Sequence, residues 1–127
     1  MSRIIRVAAA QMGPIQKADS KEQVVHRLIA LLHEAKSKGA ELVVFPELAL
    51  TTFFPRWYVE DLNDANHWYE TEMPSPTTAP IFDTARQLGV GFCLGYAELT
   101  PTGHRFNTQI LVDQKGKVVG HYRKVHI

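Results

Sequence analysis

Two charged side chains, one acidic and one basic, directly follow apolar runs and could act together in catalysis. Glu47 comes after residues 42–45 and a single proline, in the segment ELVVFPEL. Lys124 follows the last apolar run, in the segment HYRKVHI. A carboxylate can take a proton from a nucleophile, and a fixed ammonium can stabilise a developing oxyanion. Each side chain alone could instead be a solvated charge, because many folds place charges harmlessly at strand ends.

The segments before Glu47 predict a strand, a helix and a second strand. Residues 4–11 are β-branched or small and apolar, and residues 42–45 are wholly apolar, so both predict buried strands. Between them, Ser20 stands three residues before Gln23, which is the spacing of a capping box, and apolar residues then recur at helical period. This pattern is typical of a parallel βαβ unit, in which ligands gather at the carboxyl ends of the strands.

The rest of the chain predicts one more helix and three more strands, which gives an α/β fold class. Residues 55–78 are aromatic and acidic and predict a long excursion over the sheet. A helix is expected over 79–88, and strands over 90–99, 105–113 and 118–125. Glu47 and Lys124 are then expected at the carboxyl ends of adjacent strands, with their side chains in one shared cavity.

The composition indicates one globular domain without a strongly charged surface. The chain has 127 residues, 45% of them apolar, with 14 Lys and Arg against 13 Asp and Glu. This balance argues against nucleic acid or a membrane as the main partner. The single cysteine, Cys93, excludes an intrachain disulfide, and the N-terminal apolar run is too short to span a bilayer, so a cytoplasmic protein is expected. The histidines lack a metal-ligand spacing.

The whole sequence resembles the nitrilase superfamily of carbon–nitrogen hydrolases, and within it the N-carbamoyl-D-amino acid amidohydrolases. The segments that resemble the superfamily are VAAAQMGP, VVFPEL, GYAEL, RFNTQILVD with KGKVVG, and YRKVHI. The segments FPELALTTFFPRW and WYETEMPSP resemble the narrower branch. The resemblance implies half of a nitrilase-type four-layer α-β-β-α sandwich.

The resemblance also implies a catalytic triad of glutamate, lysine and cysteine. Glu47 matches the general base, Lys124 the triad lysine, and His126 a histidine of the substrate pocket. The implied reaction converts an N-carbamoyl-D-amino acid to the D-amino acid, carbon dioxide and ammonia, with no cofactor and no metal. We expect burial to raise the pKa of Glu47, and the aromatic segment 53–57 to form a wall of its pocket.

The sequence departs from the family pattern at the nucleophile. The family's cysteine lies well after the lysine, whereas this sequence has three residues after Lys124. Residues 1–127 are therefore expected to be the N-terminal part of a single carbon–nitrogen hydrolase domain. The nucleophile, the second half of the sandwich and the arginine for the substrate carboxylate are expected outside them. Cys93 lies in the middle of an expected strand, so we predict a buried, inert side chain.

Without its other half, the chain is expected to be inactive and to expose the apolar inner face of its sheet. Such a face favours association, either as a homo-oligomer or with the missing C-terminal half. Two other interpretations are left open by the sequence. The chain could be a catalytically inactive interaction module, or part of another amidase of the superfamily that acts on aliphatic amides, nitriles or β-ureido acids.

Overall fold

The computed structural model describes residues 1–126, which form one mixed β-sheet with two α-helices. The elements are β1 Val7–Ala9, α1 Lys21–Ser37, β2 Leu42–Val44, α2 Ala79–Leu88, β3 Gly91–Leu99, β4 Arg105–Val112 and β5 Val118–Arg123. Two 3-10 helices, Phe54–Arg56 and Leu62–Trp68, lie in the excursion between β2 and α2. The α/β class predicted from the sequence is confirmed, although β1 is shorter than the predicted strand over residues 4–11.

The five strands lie in the order β1-β2-β3-β4-β5. β1, β2 and β3 pair in parallel, whereas β4 pairs antiparallel with both β3 and β5. As a result β5 runs in the same direction as β2, and the carboxyl ends of both strands lie at one edge of the sheet. Two strands separate β2 from β5, so the expectation that Glu47 and Lys124 follow adjacent strands is wrong.

Helix α1 begins at the capping box that the sequence predicts. The Ser20 side chain accepts a hydrogen bond from the Gln23 backbone amide at 3.2 Å, and the Gln23 side chain accepts one from the Ser20 amide at 2.9 Å. This capping box satisfies two amides that have no partner within the helix. Just past the last turn, Gly39 has a φ of 83°, a left-handed conformation that glycine adopts without strain from a Cβ atom.

One face of the sheet, here called the helix face, packs against the helices and forms the core. The ring of Phe92 on β3 lies 6.2 Å from that of Phe45 and 5.2 Å from that of Phe82 on α2, measured between centroids. Leu94 and Ile110 extend this layer and are almost fully buried. Because a one-residue slip would expose every one of these side chains, their burial fixes the register of β3 and β4.

The opposite face of the sheet, here called the open face, has no second layer among residues 1–126. Its apolar side chains include Val7, Leu111 and Tyr122, which are 54%, 39% and 61% exposed. The prediction that residues 42–45 are buried on both faces, and residues 4–11 mostly buried, is wrong for the residues described, because only the helix face of β1 and β2 is covered. The exposed apolar face expected for a sheet without its other half is present. Cys93 also lies on the open face, so it is half-buried rather than buried as predicted.

Residues 46–49 form a turn that leaves β2 and crosses the open face of β3. The Ala49 amide donates a hydrogen bond to the Gly95 carbonyl at 2.8 Å. A Cβ atom on Gly95 would lie 2.9 Å from the Pro46 carbonyl oxygen and 3.0 Å from the Glu47 Cα atom, so only glycine permits this approach. Leu48 has a φ of 48°, which is strained for a leucine.

A second apolar cluster holds this turn in place. The Leu48 side chain packs with Phe54, Trp68 and Ala97, and the rings of Phe54 and Trp68 stack with their centroids 4.9 Å apart. Burial of these large side chains compensates the backbone strain at Leu48, which costs about 1–2 kcal/mol for a non-glycine residue. The long excursion after β2 therefore fixes the position of Glu47.

Replacement of Gly95 by alanine is expected to lower the free energy of unfolding by about 1–3 kcal/mol, because the added methyl group pushes the turn away from β3. Gly13→Ala is the matched control, since the nearest atom to its added Cβ is at 3.6 Å. Thermal unfolding of both variants measures the difference. Equal transition midpoints for wild type and Gly95→Ala would refute the close approach.

Candidate active site

The structure brings Glu47 and Lys124 into direct contact. The Lys124 Nζ atom donates a hydrogen bond to Glu47 Oε1 at 2.8 Å. Asn107 Nδ2 donates to the same oxygen at 2.6 Å. One carboxylate oxygen thus accepts two hydrogen bonds, one of them from an ammonium, and such charge-assisted bonds are the stronger kind. The geometry places an acid and a base together at the carboxyl edge of the sheet.

The antiparallel strands deliver Asn107 and Lys124 to the same row of the open face. Thr108 pairs with Arg123 in the β4–β5 ladder, and the Lys124 amide donates to the Asn107 carbonyl at 2.8 Å, which continues the ladder by one residue. Asn107 also pairs with Ala97 of β3. The lysine side chain can therefore reach across β4 to the turn that holds Glu47 above β3.

The hydrogen bond from Lys124 holds the pKa of the Glu47 carboxyl below its ordinary value. Partial burial acts in the opposite direction, and the hydrogen bond from Asn107 adds to the lowering. The sequence-based expectation that burial raises this pKa is therefore wrong for the chain as described. The physical reason is that 46% of the Glu47 side chain is exposed, so desolvation is too weak to outweigh its two donors.

A cavity of about 200 Å³ lies beside Glu47, between the segment that follows β1 and the segment that follows β2. Its lining includes Met12, Ile15, Glu47, Phe53 and Arg56. The predicted aromatic wall is correct for Phe53, which is half-exposed and lines this cavity. The apolar and cationic lining around one carboxylate is suited to a small molecule with an apolar part and an anionic group.

Two other aromatic residues of the same segment pack in the second cluster rather than in the cavity. Phe54 stacks on Trp68, and Trp57 lies against Trp68 with ring centroids 6.1 Å apart. Their orientation follows from the 3-10 turn Phe54–Arg56, which directs consecutive side chains to different sides. The prediction that the whole segment forms the pocket wall is wrong for Phe54 and Trp57.

Arg56 brings a cation with spare hydrogen-bond donors to this cavity. Its guanidinium carbon lies 4.8 Å from the Trp57 ring centroid, and its terminal nitrogen is 3.5 Å from Thr52 Oγ1. Among residues 1–126, no carboxylate oxygen forms a salt bridge with Arg56 within 4.0 Å. Stacking on the indole restrains the guanidinium while leaving most of its five donors free.

Among the described residues, neither Cys93 nor His126 forms a side-chain hydrogen bond with the Glu47–Lys124 pair. His126 is exposed, two residues beyond Lys124, and is not among the hydrogen-bond partners described for Glu47 or Lys124. Burial raises the pKa of the Cys93 thiol, which keeps it protonated at neutral pH. The pocket role implied for His126 stays a prediction.

Two residues of the site had no role in the sequence-based interpretation, namely Asn107 and Arg56. The alternation of β4 and β5 could have identified Asn107, because it faces Lys124 once the hairpin register is known. A glycine inside an apolar strand, such as Gly95, indicates a close backbone approach. Arg56 carries no such signal, since its importance depends on a turn that no periodicity predicts. Within the described part of the chain, no three His, Cys, Asp or Glu side chains are grouped to hold a metal ion. Nor does any helix described there have the length and apolar character to cross a membrane.

The family model for carbon-nitrogen hydrolases matches residues 6–127. This chain belongs to the carbon–nitrogen hydrolase family. A nitrilase from Pyrococcus abyssi is 34% identical over 98% of the chain, which covers 44% of that nitrilase. A nitrilase from Paraburkholderia phymatum is 33% identical over 97% of the chain, and the chain covers 37% of it.

Solved structures of low sequence identity share the fold. The carbon–nitrogen hydrolase from Helicobacter pylori G27 superposes with a TM-score of 0.77 at 21% identity, over 97% of this chain and 40% of that one. An N-terminal amidase gives a TM-score of 0.76 at 19% identity, over 97% of this chain and 28% of that one. The chain spans roughly two-fifths of the length of several curated relatives, with shares of 39%, 37% and 40%.

Removal of the lysine is expected to raise the pKa of Glu47, because the largest influence that lowers it is lost. In the wild type, the pair stabilises the fold above the ordinary carboxyl pKa, and this contribution is lost as the pH falls through the lowered value. Carboxyl-carbon NMR titration of Lys124→Met measures the shift. Lys115→Met, which changes an exposed lysine of the β4–β5 turn, is the control. An unchanged Glu47 titration in Lys124→Met would contradict the ion pair.

Proposed function

We propose that this chain is the N-terminal part of a carbon–nitrogen hydrolase domain whose nucleophilic cysteine lies in a completing segment. Glu47 acts as the general base, and Lys124 stabilises the oxyanion. The observation that carries this proposal is the 2.8 Å contact between Lys124 Nζ and Glu47 Oε1 at the carboxyl edge of the sheet. The second hydrogen bond from Asn107 fixes the carboxylate in one orientation.

The chemistry follows from these two groups and a thiol. At neutral pH Glu47 is ionised and can take the thiol proton, so that the thiolate attacks the carbonyl carbon of a urea-like group. Negative charge develops on the carbonyl oxygen, where the Lys124 ammonium stabilises it. The intermediate collapses with loss of ammonia, which carries away the proton that Glu47 held. Water then hydrolyses the carbamoyl-enzyme, and the resulting carbamate decays to carbon dioxide and a free amino acid.

The completing segment would also change the pKa of the proposed base, Glu47. In the chain as described, Glu47 is half-exposed, and its pKa is lowered by Lys124. A second sheet packed on the open face would remove water from this edge, and desolvation raises the pKa of a carboxyl group. The same packing would bury the exposed side chains Val7, Leu111 and Tyr122. The open face is therefore proposed as the surface on which the C-terminal half, or a homo-oligomer partner, closes the site.

The substrate proposed is a small N-carbamoyl-D-amino acid. Its urea-like carbonyl would lie at Glu47, its side chain against Met12, Ile15 and Phe53, and its carboxylate near Arg56. Arg56 supplies a cation for that carboxylate from within this chain, beside any arginine of the completing segment. The resemblance of FPELALTTFFPRW and WYETEMPSP to the carbamoylase branch supports this choice and the D configuration.

Hydrolysis of a nitrile is the second candidate, because the similar curated proteins from Pyrococcus abyssi and Paraburkholderia phymatum are nitrilases. A thiolate can attack a nitrile carbon with the same base and the same ammonium. The two candidates differ in the need for an anionic subsite, since a neutral nitrile has no use for Arg56. Arg56 is therefore the residue that separates them.

Replacement of Glu47 by glutamine is expected to abolish ammonia release from N-carbamoyl-D-phenylglycine, with kcat falling by a factor of about 10² or more because the base is lost. The assay uses protein whose mass has been measured, so that the presence of a completing segment is known. Glu60→Gln, at an exposed position of the excursion, is the matched control and should retain wild-type turnover. Full activity in Glu47→Gln would overturn the proposed mechanism.

Replacement of Arg56 by glutamine should raise KM for N-carbamoyl-D-amino acids by about 10-fold, the value of one charge-assisted hydrogen bond of about 1.5 kcal/mol. Turnover of a neutral amide or nitrile of similar size should stay unchanged. Arg86→Gln on the outer side of α2 is a control of the same charge change. An equal loss on charged and neutral substrates would remove Arg56 from the carboxylate subsite.

A further inference from the structure

A second ion pair lies on the helix face of the sheet, directly behind Lys124. Glu98 of β3 accepts hydrogen bonds from both Nε and Nη2 of Arg123, at 2.9 and 2.7 Å. Such a two-point contact between guanidinium and carboxylate fixes the geometry as well as the distance. Arg123 is the residue immediately before Lys124, so this contact sits one peptide bond from the proposed oxyanion-stabilising residue.

The carboxylate of Glu98 is held from several sides. Thr108 Oγ1 donates to Glu98 Oε2 at 2.6 Å, and His121 Nε2 lies 3.4 Å from the same oxygen. The Glu98 side chain is only 14% exposed. Because partners on β4 and β5 converge on it, this carboxylate ties the last three strands together at the edge of the sheet that carries the site.

The guanidinium of Arg123 is restrained as well. Its carbon lies 4.3 Å from the ring centroid of Phe106, in a cation–π contact, while two of its nitrogens, Nε and Nη2, donate to Glu98. Consecutive residues of a strand point to opposite faces. Once the Arg123 side chain is fixed on the helix face, Lys124 must project onto the open face, towards Glu47.

We propose that the Glu98–Arg123 pair is the positioning device that holds Lys124 against Glu47 through the thickness of the sheet. The inference rests on the proposed function for its kinetic consequence, but not for its structural one. β5 ends at Arg123, and one further ladder bond, from the Lys124 amide to the Asn107 carbonyl, is described for the next residue within 1–126. Without a side-chain anchor at position 123, this strand end would fray as strand ends do.

The Glu98–Arg123 pair acts by fixing the position of Lys124, and not through an effect of its own charges on the reaction. Arg123 faces away from the Glu47 cavity, so it contacts neither the carboxylate base nor a substrate in that cavity. A lysine side chain has several rotatable bonds, so a displaced backbone would spread its ammonium over many positions. A shift of about 1 Å in a catalytic group can lower the rate by a factor on the order of 10².

Two separate variants of the natural protein test the proposal, Glu98→Gln and Arg123→Lys. Glu98→Gln should lower kcat by a factor on the order of 10² and leave KM within about threefold, because placement and not binding is lost. The acid limb of the kcat/KM profile should move to higher pH, since Glu47 loses the ammonium that lowers its pKa. Arg123→Lys keeps the charge but not the two-point contact, so it should retain intermediate activity.

Glu34→Gln removes a surface pair with Lys38 of the same 2.7 Å length and should match wild type in every assay. A loss of kcat in Glu98→Gln without a shift of the acid limb would mean a merely structural role and would overturn the proposal. If Glu98→Gln does not fold, the acid limb of Arg123→Lys decides in the same way. NMR titration of Glu47 in the Glu98→Gln variant separates the proposed positioning of Lys124 from the proposed hydrolase function, because the titration needs no activity. A raised Glu47 pKa in a protein with no hydrolase activity would support the positioning device and refute the proposed function.

Discussion

The site depends on one hydrogen bond that spans two strands of the sheet. Lys124 follows β5 and Glu47 follows β2. Their side chains meet over β3 and β4, where the Lys124 Nζ atom lies 2.8 Å from Glu47 Oε1. Neither residue could reach the other if the turn after β2 stood upright from the sheet edge. The turn instead lies flat on the open face because Gly95 has no side chain in its path. The absence of a side chain at Gly95 therefore allows Glu47 and Lys124 to form a pair.

The two faces of the sheet have different tasks at this edge. The helix face carries the core and the Glu98–Arg123 pair. In this pair, Arg123 lowers the pKa of the Glu98 carboxyl to about 2. The open face carries Glu47, Asn107 and Lys124 beside apolar side chains that are still in contact with water. The Glu98–Arg123 pair thus lies on the side that is already packed, while the proposed base and ammonium lie on the side that a second layer would enclose. With this division, Glu47 and Lys124 can be positioned before a second layer removes water from them.

Much of the fold could be predicted from the sequence, and the reasons are local. The capping box at Ser20, the helical period of the apolar residues and the apolar strands are signals contained within a few residues, and they located the helices and the strands. The meeting of Glu47 with Lys124 came from the resemblance and from the common direction of their strands. What failed depends on long-range contacts. Which surfaces meet determines the strand order, the lowered pKa of Glu47, the half-buried position of Cys93 and the inward packing of Phe54 and Trp57, and periodicity does not encode that.

The separation of the paired residues along the chain has a consequence for folding. Glu47 lies 77 residues from Lys124 and 60 from Asn107. Contacts of such long range close large loops and form after hairpins such as β3–β4 and β4–β5, which join neighbouring segments. The pair can assemble only when β2 has docked beside β3 and the turn has settled onto Gly95. A partly folded chain therefore has no assembled base and ammonium, and the appearance of this contact marks the completion of the sheet.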